Sequence, residues 1–129
     1  MTSININLGD AFLIETPPND KHLYIAIAPT PNNKYLFVNL TTRRARSEIA
    51  CILTPSMAGV PSFITSESVI AYQFAREMDS TLLARDICQG SRTPYCQFPA
   101  NILSKIQQGG LVSRRLENRY QDAFRSFLG

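Results

Sequence analysis

Histidine occurs once in the 129 residues, at His22, and tryptophan not at all. A single histidine leaves no cluster of imidazoles for a metal. The three cysteines, Cys51, Cys88 and Cys96, are spaced by 37 and 8 residues, which is not a CxxC-type zinc pattern. Three cysteines cannot all pair within one chain, so the economical expectation is a reduced, cytoplasmic protein. Apolar runs are short, as at 11–14 and 25–28, and none approaches the roughly 20 residues of a membrane-spanning helix. The opening MTSININLGD has neither a basic n-region nor a continuous apolar h-region, so no signal peptide is expected. No GxGxxG, GxxxxGK[ST] or GxSxG motif is present. Metal hydrolases, nucleotide kinases and serine hydrolases are therefore poorly supported, and no cofactor or metal is expected.

What is there suits one globular domain spanning 1–129: 44% hydrophobic and 18% charged residues, with a mean hydropathy of −0.09. The net charge of +3 is unevenly spread. Residues 1–42 hold two lysines and no arginine against three acids, whereas 43–129 hold all ten arginines and one lysine against seven acids. Arginine makes forked contacts with phosphate or carboxylate that lysine cannot. A nucleic-acid or acidic-protein partner is therefore open, beside arginine as an ordinary surface residue.

The first half reads as strands and turns. Ile4, Ile6 and Leu8 alternate with asparagines, and Gly9-Asp10 interrupts before AFLIET (11–16). The turn signal PPND (17–20) leads to HLYIAIA (22–28), and PTPNN (29–33) leads to KYLFVNLTT (34–42). Short connections predict an antiparallel meander. Residues 49–53 read as a short strand. Residues 69–78 fit both helical and strand periods, and their β-branched and aromatic content favours a strand.

Beyond 80 the pattern is helical. Ser80 is the expected cap of a helix reaching about Gln89, with Gly90 as its stop. Residues 92–97 read as loop. Pro99 opens a helix carrying Ile102, Leu103 and Ile106, which Gly109-Gly110 are expected to end. From Ser113 a last helix aligns Leu116, Tyr120, Ala123, Phe124 and Phe127 on one stripe. The expectation is an α+β chain, mainly β over 1–79, with the helices of 80–128 packed on the strands.

The polar residues that remain gather at strand ends. His22 opens the second strand, Thr41-Thr42 close the third, and Arg43-Arg44-Ala45-Arg46 follow at once. Glu67-Ser68 precede the 69–78 strand, and Arg76 lies inside it. A ribonuclease working without metal needs a base for the 2′-hydroxyl, a donor to the leaving oxygen and a cation for the phosphorane. Histidine, hydroxyl and arginine side chains supply those roles. The same residues also serve as strand formers, ion-pair partners and solvated loop.

Gly9-Asp10 before an apolar strand, then HLYIAIA, YLFVNLTT and SESVIAYQFAREMD, resemble the PemK/MazF-like toxins over about 1–79. The resemblance implies an SH3-like small antiparallel barrel with C-terminal helices, usually a homodimer. It also implies the toxin of a toxin–antitoxin pair, cutting single-stranded RNA without a metal and bound by an acidic antitoxin. His22 stands where the family has an arginine, Asn39 where it has a turn proline, and PPNDK replaces a longer first loop. The catalytic set carried over is His22, Thr41 and Arg76. Thr42, Arg43, Arg44, Arg46 and Ser68 are the expected RNA contacts. The alternative is a noncatalytic module of the same shape that binds nucleic acid or an acidic protein; a purely structural subunit comes third. No membrane partner is expected.

Overall fold

The computed structural model describes residues 5–16, 20–86 and 94–128. In chain order the elements are β1 (Asp10–Thr16), β2 (Asp20–Thr30), β3 (Lys34–Thr42), β4 (Ile52–Leu53), β5 (Ser68–Met78), α1 (Ser80–Asp86), β6 (Cys96–Gln97), α2 (Ala100–Val112) and α3 (Asn118–Leu128). The strands form one six-stranded sheet ordered β4-β5-β3-β2-β1-β6, antiparallel at every junction and curled into a half-barrel.

Strand alternation sends side chains to opposite faces, and here both faces are covered. Ala11, Leu23, Ile25, Leu36, Val38, Ile70 and Tyr72 meet Ile102, Ile106, Leu116, Tyr120 and Phe124 of the C-terminal helical segment. On the other face Phe12, Ile14, Tyr24, Ala26, Phe37 and Met78 pack with Leu83 of α1 and with Ile6. Double-sided burial is why β2 reads as a continuous apolar run. Between β2 and β3, Asn32 and Asn33 take φ of 67° and 60°, a left-handed conformation that asparagine tolerates.

Several boundaries differ from the sequence reading for physical reasons. Gly109-Gly110 do not end α2; they lie inside it, buried. A Cβ on Gly109 would collide with the Tyr72 hydroxyl, and one on Gly110 would meet the Phe124 ring at 2.7 Å. The glycines therefore serve close approach, and α2 ends at Ser113, where ψ is 135°. The last helix starts at Asn118, because the Ser113 hydroxyl accepts from the Arg115 and Leu116 amides at 3.1 Å and holds a turn there. Phe127, expected on the buried stripe, is 41% exposed. The cap of α1 is Asp79 rather than Ser80, its Oδ1 accepting from the Leu82 amide at 2.7 Å. The expected extension to Gln89 and Gly90 lies outside the described residues, as do Ile4 and the 17–19 turn. Residues 96–97, expected as loop, pair with Asp10 and Ala11. The 49–53 strand shrinks to Ile52–Leu53, with Ile49 exposed.

Candidate functional site

Register brings the sequence-distant polar residues together at one end of the sheet. Leu23 pairs with Leu40, Thr41 with Val69 and Thr42 with Ser68. His22 and Thr41 are each one residue beyond the Leu23–Leu40 pair, so the ladder carries both to the same level. Where the strands end, the loop before β5 closes a pocket of about 350 Å³. Its apolar wall is Leu13, Leu23, Leu40 and Ile64; its polar lining is Lys21, His22, Thr41, Thr42, Thr65, Ser66 and Ser68; Phe63 completes it. The Ser68 hydroxyl donates to the Ser66 carbonyl at 3.1 Å, so its proton is engaged.

A second pocket of about 220 Å³ adjoins the first and shares Thr41. It is floored by Val69 and Ala71 and bordered by Gln73 and Phe74, with Arg44, Arg46 and Arg115 as cations and Glu48 as the one carboxylate. Long-range bonds build this wall. Glu48 accepts from the Ser113 hydroxyl at 2.8 and 2.9 Å and from the Arg114 amide at 2.9 Å. Arg115 donates to the Arg46 carbonyl at 3.1 Å, drawing its guanidinium to the loop after β3. That loop is itself tightened where the Arg44 amide donates to the Ser47 hydroxyl at 2.9 Å. Glu48 is committed to the α2–α3 turn, and three arginines dominate the field.

His22, Thr41, Thr42 and Ser68 therefore gather at one pocket, and Arg44 and Arg46 at its neighbour. Arg43 points elsewhere, paired with Glu67 at 2.6 Å. Arg76 lines neither pocket. It pairs with Phe37, four residues along β3 from Thr41, a separation of about 13 Å at strand rise, and its guanidinium lies 5.7 Å from the Tyr24 ring centroid. Tyr24 donates to the Phe74 carbonyl at 3.3 Å. Burial raises the pKa of this phenol, and the Arg76 charge partly offsets that.

Asn39, 3% exposed, is structural: its amide donates to the Leu23 and Leu40 carbonyls at 3.2 and 3.3 Å. Asp10, 1% exposed, likewise accepts from the Asn7 amide at 2.9 Å and from the Gln97 side chain at 2.8 Å. Burial pushes the Cys51 and Cys96 thiols up to about 11, so both stay protonated at neutral pH.

Sequence reasoning missed Lys21, Phe63, Phe74 and Arg115. The first had a signal, its place beside His22; the other three join the site only through tertiary contacts. Among the described residues no group of three or more His, Cys, Asp or Glu can hold a metal ion, and no helix is long and apolar enough to cross a membrane. No family model matches the chain, and no curated protein matches it.

Proposed function

We propose that the chain is an endoribonuclease acting on single-stranded RNA with side chains alone, the toxin of a toxin–antitoxin pair. The observation that carries the reading is the junction at Thr41 of two pockets: one with His22, Lys21 and hydroxyls, the other with three arginines and an exposed phenylalanine. A scissile phosphate fits the first and the flanking backbone fits the second. His22 takes the 2′-hydroxyl proton as the 2′ oxygen attacks phosphorus. The bond from phosphorus to the 5′ oxygen breaks, and water protonates the departing oxygen. The products are a 2′,3′-cyclic phosphate and a 5′-hydroxyl. Lys21 offsets the phosphorane charge, and the Thr41 hydroxyl, at the level of His22 in the β2–β3 ladder, donates to one of its oxygens. In this reading Arg76 keeps Tyr24 and β5 in place. An acidic antitoxin would compete at the arginine pocket, and the family resemblance over 1–79 points the same way, including a cytoplasmic homodimer.

The test is cleavage of a fluorogenic single-stranded RNA in excess chelator. Cleavage is expected, with His22→Ala lowering the rate at least about 100-fold while RNA binding and thermal melting stay close to the parent. Undiminished cleavage by His22→Ala overturns the assignment. Binding without cleavage by the parent favours the second reading, a noncatalytic RNA-binding module, which the arginine pocket alone suffices to support.

A further inference from the structure

The pocket that holds His22 has an aromatic rim that neither catalysis nor the core uses. Phe63 and Tyr95 meet edge to face, with ring centroids 5.4 Å apart and planes at 77°. Both remain open to solvent, at 38% and 52% exposure. Their backbones are nonetheless well anchored. The loop under Phe63 is turned by the Ile64 amide donating to the Pro61 carbonyl at 3.0 Å, and Ile64 is buried at 5% exposure. The Tyr95 amide donates to the Ala11 carbonyl at 2.7 Å, immediately before β6 joins the sheet. Two fixed points thus hold two rings in water beside a pocket that also contains Lys21.

An edge-to-face contact covers one face of one ring and leaves aromatic surface for a flat ligand. Cationic and hydroxyl groups next to such a surface suit a group that is planar at one end and anionic at the other, which is the chemistry of a nucleotide. We propose that Phe63, braced by Tyr95, is the stacking platform for the base adjoining the phosphate at His22. This rests on the nucleic-acid reading above and adds to it how the strand is selected. A base inside a duplex is covered by its neighbours, so a platform of this kind accepts only an unstacked, single-stranded base. Every base offers a π-face, so the platform tolerates sequence at this position.

The test uses the full chain carrying His22→Ala, which is expected to hold RNA without cutting it, and an octaribonucleotide with 2-aminopurine moved through successive positions. Stacking quenches this base. Quenching is expected at one position, with Phe63→Leu abolishing it and weakening binding about tenfold. Phe63→Tyr is expected to restore both, and Tyr95→Leu to reduce the quench in part. A thermal melt checks that each variant is folded. Unchanged quenching and affinity in Phe63→Leu overturn the platform and leave RNA binding intact. If the folded parent binds no RNA in any register, the nucleic-acid reading fails and the platform falls with it.

Discussion

The two pockets that meet at Thr41 are built on different principles. The His22 pocket is fixed by ladder register, since β2, β3 and β5 end at one level and a change there must break strand pairing. The arginine pocket is held by a few side-chain bonds between the loop after β3 and the α2–α3 turn. A wall of sheet backbone is stiff, whereas a wall tied by Glu48 and Ser113 loosens with one substitution. In the proposed function, the chemistry that needs fixed geometry falls to the first pocket and the charge that needs only proximity to the second.

Four measurements break or sharpen that contrast. The largest effect is expected from Phe124→Ala, because this ring is 1% exposed and closes over Gly110. A loss of about 3–5 kcal/mol in denaturant-measured stability follows for an emptied aromatic site. The α2–α3 pair, and with it the arginine pocket, is expected to give way first in hydrogen exchange.

Alkaline pH comes next. Burial raises the pKa of Tyr72 strongly, that of Cys51 from its ordinary 9.0 to about 11, and that of Tyr24 in the same direction. Between those limits the unfolded chain releases protons that the folded chain keeps, so stability is full below about pH 9 and falls as pH climbs toward 11. Melting temperatures measured from pH 7 to 11 check this, and a flat profile overturns it.

Ser113→Ala removes the turn cap and the hydroxyl's bonds to Glu48, leaving that carboxylate only the Arg114 amide at this turn, at a cost of about 1–2 kcal/mol. RNA affinity is expected to weaken with it, while cleavage of bound RNA at saturation stays near the parent, because the His22 pocket does not depend on those bonds. Arg43→Ala is the smallest. Its ion pair with Glu67 has both side chains well exposed, at 39% and 45%, so stability changes by no more than about 1 kcal/mol.

The strand half of the fold was legible because its signals are local. Proline and asparagine turns punctuate it, and β2 and β3 are rich in branched and aromatic residues. The meeting of His22 with Thr41 and Ser68 follows from the order of the strands, which is why part of the site could be anticipated. The helices beyond Ser80 were read less well. Gly109 and Gly110 look like stops to any local rule, yet Tyr72 and Phe124 demand bare backbone there. Arg115 enters the arginine pocket only through its bond to Arg46, a contact between residues 69 apart in the chain. Arg76 drew attention as a charge within a strand, and the partner that explains its place, Tyr24, lies on another strand.

Thr41 forms a lining common to both pockets. Its branched side chain has little freedom at χ1, so the residue the two pockets have in common is a stiff one. A ligand long enough to occupy both must cross at this one residue. The spacing between what lies at His22 and what lies among the arginines is thereby set like the gap between two marks on a ruler. Lengthening or shortening the side chain at 41 would move the marks, and under the proposed function the position of a cut along a bound strand would move with them.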